Sequence, residues 1–401
     1  PLIALGEELM RRGHQVQIAA FASLGPLVRQ AGITFYCLPG DAYAFISNAV
    51  KPGASPVTFL HRIEKTIRNV ADPFLKSLYD ACVGADALVV TYFGSTFYSI
   101  AEKLNIPCFQ AHFYPMDCNG NVPIAIMPCL PLGKTYNRMT YRLGYLLVGG
   151  LEKRYLTRWR TQQGMRARRV RTRPDDTVNG KKVTVLYAIS ASVLPRPKDW
   201  HENIHLTGFW QRTSHGDWTP PEDLQRFLAA GEKPVYIGFG SMTTGDMGEA
   251  LRVVLKSLRK ANLRAVLASG WGGMHTEIPL PSSVYIADYY IPHDWLFERM
   301  QAVVHHGGAG TLAAGLRAGL PTLVVPFGGD QPFWGSRVQT LGLGPRPLPR
   351  SLLHSGALSR ALIDLTQNTA YRRAAEEMAR SLRAENGAAV AADIIEKEIY
   401  G

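Results

Sequence analysis

The feature that most constrains the fold of this chain is a glycine-rich run between a buried strand and a helix. Residues 302–304 are all apolar and predict a short buried strand, and a helix opens at Thr311. Between them stands His305-His306-Gly307-Gly308-Ala309-Gly310. Glycines let the backbone approach an anion closely, and the N-terminus of a helix attracts phosphate. The run therefore predicts an α/β unit that holds a diphosphate.

A second polar group follows the next predicted strand. Residues 321–326 read as a buried strand, and Phe327-Gly328-Gly329-Asp330-Gln331 stands at its carboxyl end. Ligands of open α/β sheets bind at those ends. An aspartate next to a glutamine offers carboxylate and amide oxygens together with an amide donor, a mixture that suits a polyol such as a hexose. We expect the diphosphate and the sugar to lie side by side.

These motifs carry a resemblance to a known family. The chain resembles the two-domain GT-B glycosyltransferases, and within them the sterol 3β-glucosyltransferase-like group, which uses UDP-glucose. The resemblance covers nearly the whole chain and is stronger in the second half. It rests on Pro197-Lys198-Asp199-Trp200, Thr207-Gly208-Phe209-Trp210, Gly238-Phe239-Gly240-Ser241-Met242, Pro292-His293-Asp294-Trp295-Leu296 and the run from His305 to Trp334.

The resemblance implies a set of donor-binding residues. Asp330 and Gln331 would hold glucose hydroxyls, and Ile291 and His293 would border the uracil. Trp271 either stacks on the uracil ring or caps the sheet. Phosphate contact falls on Ser241, His306, Gly308, Ala309, Gly310 and Thr311.

The resemblance also implies two Rossmann-like domains with a cleft between them. Strand candidates alternate with helices along the first half, at 15–20, 33–38, 87–91, 107–112 and 183–188, as in an α/β fold. The expected division is an acceptor-binding domain over 1–210, a linker over 211–221, a nucleotide-sugar domain over 222–375 and a C-terminal helix over 376–401 that packs back on the first domain.

The catalytic base is the residue that the sequence leaves least certain. In the resembled family a strand and a Gly-x-Arg-Gly-Asp-x-x-Pro-like turn come before the first helix, and Pro1 matches the proline of that turn. The aspartate of the turn is often assigned as the base, so we expect the first strand and the base to lie before Pro1. His112 and Asp117 are the fallback candidates, although a histidine in the first position is more often a satisfied loop-edge residue and an aspartate in the second a solvated turn residue.

The paired histidines raise the question of a metal. Adjacent residues project differently, and neither a His-Glu-x-x-His pattern nor a carboxylate cluster accompanies them. We interpret His305 as a packed strand-end histidine and His306 as a phosphate donor. We therefore expect a reaction that uses neither a metal nor a cofactor besides the donor substrate.

Composition limits the class of protein. With 401 residues, 46% hydrophobic and 19% charged, the chain can bury the cores of two domains. Its five cysteines lack a Cys-x-x-Cys spacing, which favours reduced thiols in a cytoplasmic protein. The net charge is +12, and basic residues crowd the segment 153–173. That segment is either a solvated helix and loop or a peripheral contact with anionic lipid; nucleic acid is not expected, because no recognition module is present.

The sequence therefore predicts an inverting, metal-independent enzyme that moves glucose from UDP-glucose to a hydroxyl of a sterol, a triterpenoid or another hydrophobic small molecule. The loop over 113–132, rich in apolar residues, either borders the acceptor or packs on the core. Two alternatives remain open. One is an antibiotic-type glycosyltransferase that uses a TDP-deoxysugar, and the other is an inactive protein that binds a sugar nucleotide or a lipid.

Overall fold

A computed structural model describes residues 1–40, 72–91, 94–125, 127, 129–166, 177–212, 218–238, 247–268 and 279–401 of the chain. Over these residues the strands form two parallel sheets, a separate parallel pair and a small hairpin, with helices on their faces. This is an α/β architecture with two Rossmann-like units.

The first unit contains a four-stranded parallel sheet with the strand order β3-β4-β7-β8. Strands β1 and β2 pair with each other in parallel, and β5 and β6 form an antiparallel hairpin. The strands are β1 (Gln17–Phe21), β2 (Thr34–Leu38), β3 (Leu88–Val90), β4 (Cys108–His112), β5 (Thr177–Val178), β6 (Lys181–Lys182), β7 (Thr184–Tyr187) and β8 (Ile204–Leu206).

The helices of the first unit begin with the one that the sequence predicts at its start. Its apolar residues recur at helical spacing, and Ala4 and Leu5 are buried. The helices are α1 (Leu2–Arg11), α2 (Gly25–Gln30), α3 over residues 72–82, α4 (Gly94–Leu104) and the long α5 (Gly133–Gln162).

The second unit is a five-stranded parallel sheet with the order β11-β10-β9-β12-β13. The chain runs outward from β9 on one side and from β12 on the other, so the switch point of the topology lies between these two strands. Gly238 and His305 pair there, at the carboxyl ends where open α/β sheets bind ligands. The strands are β9 (Val235–Gly238), β10 (Ala265–Ala268), β11 (Val284–Ala287), β12 (Ala302–His305) and β13 (Thr322–Val324).

The helices of the second unit cover both faces of this sheet. One buried apolar cluster contains Val254 and Leu362, and another contains Leu224 and Phe297. The helices are α6 (Glu222–Ala229), α7 (Met247–Ala261), α8 (His293–Phe297), α9 (Ala309–Arg317), α10 (Gln331–Thr340), α11 (Ser355–Gln367), α12 (Thr369–Ala384) and α13 (Gly387–Tyr400).

The end of the chain is two helices, where the sequence pattern predicts a single helix over 376–401. Helix α12 ends at Ala384, and Asn386 caps α13 by accepting a hydrogen bond from Ala389 N at 3.2 Å. A capping asparagine followed by glycine favours the start of a new helix over continuation of the preceding one. The single-helix prediction is therefore wrong at this point.

The two terminal helices contact different units. Helix α12 packs along α9, whereas α13 packs against α1 and shares a buried cluster with β4 and β7. Gly387 permits the crossing, because a Cβ at this position would stand 2.4 Å from the carbonyl carbon of Gly208. The chain thus returns to the first unit after residue 384.

The strands predicted for the first half are confirmed, each within two residues of its predicted ends. The described residues between 113 and 132 contain no helix or strand, as predicted for a loop.

Candidate active site

The glycine turn after β12 brings three elements close together. Gly307 has a φ of +101°, a conformation that glycine adopts without strain. A Cβ at Gly307 would lie 2.9 Å from Val324 Cγ1 and 3.0 Å from Gln331 Cβ. A side chain therefore has no room there, and the turn sits directly against the end of β13 and the start of α10.

The side chain of His305 stabilises this turn by a hydrogen bond. Its side chain is fully buried, as predicted for a packed strand-end histidine, and its Nδ1 accepts a 2.9 Å hydrogen bond from Gly307 N. An Nδ1 that accepts carries no proton, so the neutral ring is protonated on Nε2. Burial lowers the pKa of His305 well below its ordinary value, and His306 and His293 add to this effect.

His306 lies over the mouth of the turn. A Cβ at Gly308 would stand 2.5 Å from His306 Nε2, so a side chain there would require the His306 ring to shift. Burial lowers the pKa of His306, while a hydrogen bond to the backbone of Gly238 opposes that shift. Its Nδ1 has no hydrogen-bond partner among the residues that the structure describes.

Helix α9 begins at Ala309 with Gly308 as its N-cap and without a side-chain cap. Leu312 N is the first backbone donor of the helix and bonds Gly308 O at 3.0 Å, so the N–H groups of 309–311 have no acceptor within the helix. Space is open at Gly310, where a Cβ would meet nothing within 4 Å. The N-terminal end of this helix is therefore a backbone site suited to an anion.

Asp330 and Gln331 start α10 beside the turn. Gln331 Oε1 accepts hydrogen bonds from Phe327 N at 2.7 Å and Gly328 N at 3.2 Å, which directs the side-chain oxygen to the backbone and leaves Nε2 as its donor. Trp334 Nε1 donates to Asp330 Oδ2 at 2.9 Å. Burial raises the pKa of Asp330, and the bond from Trp334 opposes the rise. The two predicted groups of donor residues therefore lie next to each other.

Ile291 and His293, the two residues predicted to border the uracil, differ in how deeply they are buried and in what they contact. Ile291 is buried with Phe297 and Leu296 in the core of the second unit. His293 begins α8, stacks on Phe297 with ring centroids 4.7 Å apart, and lies 3.4 Å from the hydroxyl of Tyr236. Ile291 can therefore meet a ligand only through its backbone, whereas His293 stands at the end of the sheet.

Some of the predicted positions fall outside the described residues. These are Ser241 with its neighbour Gly240, Trp271, and residues 167–173 of the basic segment.

His112 and Asp117, the two fallback bases, meet at Tyr187. The His112 ring packs on the Tyr187 ring with centroids 5.2 Å apart, and burial lowers the pKa of His112 to about 3. The hydroxyl of Tyr187 donates to Asp117 Oδ2 at 2.6 Å and accepts from the backbone N–H groups of Met116 and Asp117 at 2.9 Å each. The carboxylate of Asp117 thus helps to hold the loop in place.

Tyr187 is a residue that sequence reasoning missed. It is fully buried at the end of β7 and stacks on Trp200 with centroids 4.6 Å apart. The sequence could have indicated its role, because a tyrosine at the end of a buried strand needs a hydrogen-bond partner for its hydroxyl. The structure supplies the partner from the loop over 113–125, so this tyrosine shapes the predicted acceptor region.

Two features are absent from the described residues. They contain no group of three or more His, Cys, Asp or Glu side chains placed to hold a metal ion. No helix among them combines the length and the apolar character that crossing a bilayer requires.

Comparison with known proteins places this geometry in a family. Residues 256–397, which include the glycine turn and Asp330-Gln331, match the C-terminal domain family described as erythromycin biosynthesis protein CIII-like. The whole chain is 36% identical to a sterol 3-beta-glucosyltransferase of Aspergillus oryzae and 34% identical to one of Eremothecium gossypii. It spans 29% and 33% of the length of these relatives, about a third.

Solved structures agree on the fold. The calicheamicin glycosyltransferase matches with a TM-score of 0.72 at 19% identity, over 99% of this chain and 94% of that one. The spinosyn forosaminyltransferase matches with a TM-score of 0.69 at 17% identity, over 100% of this chain and 95% of that one. The chain therefore has the GT-B glycosyltransferase fold, and along its entire length it is similar to one part of the sterol 3-beta-glucosyltransferases.

Proposed function

We propose that this chain is the catalytic part of an inverting glucosyltransferase that moves glucose from UDP-glucose to a hydroxyl of a sterol or a similar hydrophobic alcohol. One observation carries the proposal. The N-terminus of α9 and the Asp330-Gln331 pair stand side by side, separated only by Gly307. The names of the relatives supply the acceptor class.

The donor would lie along the carboxyl ends of β9 and β12. Its diphosphate would take the free N–H groups of 309–311 and the ring of His306, with Ser241 as a further contact. The glucose would follow at Gln331 Nε2 and the free oxygen of Asp330. Uracil would reach the loop at Ile291 and His293.

The departing diphosphate gains negative charge as the glycosidic bond breaks. A helix N-terminus and fixed N–H donors stabilise charge at the point where it develops, without reorganisation. This arrangement supports a transfer that does not require a metal. Inversion further needs a base on the acceptor hydroxyl, opposite the leaving group, and no covalent glycosyl intermediate.

We assign acceptor binding to the first unit and donor binding to the second, with the division at 211–221. The loop over 113–125 supports this assignment, because Tyr114 and Val122 pack with Phe333 and Trp334 of α10 in one apolar cluster. An apolar acceptor placed against this loop would therefore lie near the sugar site.

The test is to incubate the protein with UDP-glucose, a chelator and a panel of sterols, triterpenoids and phenols, and to follow UDP release and product mass. A full-length relative is assayed beside this chain, because the relatives are about three times longer. Glucosylated sterol in chelator is the expected result. Product that forms only after a divalent cation is added would contradict metal independence.

One alternative has an observation in its favour. The match over 256–397 to an erythromycin-type family favours a TDP-deoxysugar donor and an antibiotic-type acceptor. A donor panel separates the two, since a glucosyltransferase should prefer UDP-glucose over TDP-sugars. Tight UDP binding without turnover of any acceptor would instead indicate an inactive binding protein.

A further inference from the structure

Helix α5 carries a row of exposed apolar side chains. Met139, Leu143 and Leu146 are spaced by four and three residues, so they share one helix face. Leu130 and Leu132 extend the row in the segment before the helix. The exposed fractions are 62% for Leu132, 58% for Met139 and 54% for Leu146. We call these five residues the apolar row.

The row differs from the other exposed apolar residues. Elsewhere in the described chain such residues stand singly in sequence or in close pairs, as on any soluble protein. Five large apolar side chains within 17 positions on one helix face and its approach are a pattern that marks an interaction surface.

The opposite face of the same helix holds the predicted acceptor loop. Asn137 Nδ2 donates to Gly120 O at 2.9 Å, Thr140 Oγ1 accepts from Ile124 N at 3.0 Å, and Tyr145 OH donates to Met116 O at 2.8 Å. One side of α5 therefore fixes the loop, while the other side exposes the apolar row.

Basic residues border the row. Arg138 and Arg142 are exposed on α5 beside the row, Lys134 is exposed at the start of the helix with its stem against Gly120, and Lys198 is exposed in the loop that contains Asp199. Arg138 pairs with Asp199 at 3.0 Å, which offsets one of these charges. The chain as a whole carries a net charge of +12. Basic side chains around apolar ones complement an anionic lipid surface, which offers phosphate and carboxylate groups above a hydrocarbon layer.

We propose that the apolar row is the surface through which this protein docks on an anionic bilayer. The row inserts into the interface, and Lys134, Arg142 and Lys198 meet the headgroups. Stable peripheral attachment takes two signals together, and this surface provides both an apolar and a basic one. Docking here would hold the loop over 113–125, on the far side of α5, within about one helix diameter of the membrane that contains a sterol acceptor, a consequence that rests on the proposed function.

The test measures co-sedimentation of the protein with sterol-free vesicles, without UDP-glucose. Vesicles of phosphatidylcholine with about one third phosphatidylserine are compared with pure phosphatidylcholine. We expect binding to the anionic vesicles to fall at least about tenfold in the variant Leu132→Ser/Met139→Ser/Leu146→Ser. The matched control is Val83→Ser/Leu352→Ser/Val390→Ser, which removes the same number of exposed apolar side chains elsewhere and should stay within about twofold of the unchanged protein.

A second pair of variants tests the charge. Lys134→Glu/Arg142→Glu should weaken binding at least about tenfold, whereas Lys181→Glu/Lys182→Glu, which changes the net charge by the same amount in the β5–β6 hairpin, should weaken it less. Equal losses in the two charge variants would mean that net charge alone attracts the vesicle and would overturn the proposed surface.

The remaining outcomes are also decisive. Unchanged binding in the triple variant, or no binding by the unchanged protein, overturns the proposal. A dimer that dissociates in the triple variant would assign the row to a second copy of the chain and would also overturn the proposal. Because no sterol or donor is present, these results do not depend on the reaction. Activity on sterol delivered in cyclodextrin then tests the proposed function separately, and the triple variant should retain it.

Discussion

Trp334 holds Asp330 through a 2.9 Å hydrogen bond from its Nε1 to Oδ2, one helical turn away at the start of α10. Trp334 is fully buried, whereas Asp330 is half-buried. The bond leaves one oxygen of the carboxylate for a ligand and fixes the direction in which that oxygen points.

The first prediction concerns this bond. Trp334→Phe keeps an aromatic ring in the core and removes the donor, so Asp330 loses its orientation. Hydrogen bonds to charged groups contribute about 1.5–3 kcal/mol, so kcat/KM for glucose transfer should fall about 10- to 100-fold. Asp330→Ala should lower kcat/KM at least as much, and its circular dichroism spectrum should show that the fold is retained. Gln339→Ala, an exposed change on the same helix, is the control; full activity in Asp330→Ala would refute the sugar contact.

The second prediction separates folding from binding at two glycines. Gly307→Ala places a methyl against Val324 and Gln331 at a φ of +101°, so unfolding free energy should fall by about 1–3 kcal/mol. Gly310→Ala meets open space in a helix and should keep or raise stability by about 0.5–1 kcal/mol. Thermal unfolding gives both values. If the diphosphate lies at the start of α9, the second variant should still bind UDP more weakly, and unchanged UDP affinity would argue for another location.

The third prediction concerns the acceptor loop. Tyr187→Phe removes a buried hydroxyl that bonds Met116 N, Asp117 N and the Asp117 carboxylate. Unfolding free energy should fall by about 1–3 kcal/mol, and KM should rise more for the acceptor than for UDP-glucose. Tyr400→Phe, on an exposed ring, is the control and should change neither quantity. A larger effect on the donor KM would contradict the assignment of this loop to the acceptor.

The fourth prediction uses the pKa of His112. Burial lowers this pKa to about 3, so the folded protein keeps the ring neutral where the unfolded chain takes up a proton near pH 6.5. The neutral ring therefore stabilises the fold above about pH 6.5, and this contribution is lost as the pH falls toward 3. His112→Gln should lose less Tm between pH 7 and pH 5 than the unchanged protein does.

The same variant tests catalysis. A base with so low a pKa is weak near neutral pH, so kcat of His112→Gln should stay within about tenfold of the unchanged value. A loss of about 100-fold or more, absent in the exposed control His201→Gln, would identify His112 as the base.

The fifth prediction compares neighbouring arginines. Arg12 joins α1 to α13 through Asp393 and Glu396, at 2.6 Å each, whereas Arg11 bonds Glu8 within its own helix. Arg12→Ala should lower unfolding free energy by about 1–3 kcal/mol and expose α13 to proteolysis. Arg11→Ala should cost less than about 0.5 kcal/mol. Equal effects in chemical denaturation would mean that the link between the helices contributes little.

Strands made of continuous apolar residues were predictable from sequence. The site was predictable at the glycine turn, where the backbone conformation requires glycine. Residues 302–305 and 322–324 are wholly buried, so hydrophobicity alone predicts them. The turn at 307 was predictable because a side chain there would clash with Val324 and Gln331. Strand β10, at 265–268, was not among the predictions. Two of its four residues are alanines, which have a low strand propensity and do not stand out as strongly apolar.

Other features depend on contacts between distant parts of the chain. The bonds from Tyr187 to the loop at 116–117 join residues about seventy positions apart, and no local pattern contains them. The end of α12 was missed because a periodic pattern continues through it, while Asn386 and the approach of Gly387 to Gly208 decide where the helix stops. The catalytic base stays a prediction.

The close approach of Gly208 to Gly387 has a mechanical consequence. The chain passes Gly208 shortly before it reaches the linker and re-enters the first unit at Gly387, so these two stretches of chain touch at the glycine pair. Two bodies joined at separated points rotate about the line between them, but here the two stretches are in contact. Relative rotation of the units would therefore pivot on this glycine pair, and a methyl group added at Gly387, 2.4 Å from the neighbouring backbone, would force the joint open.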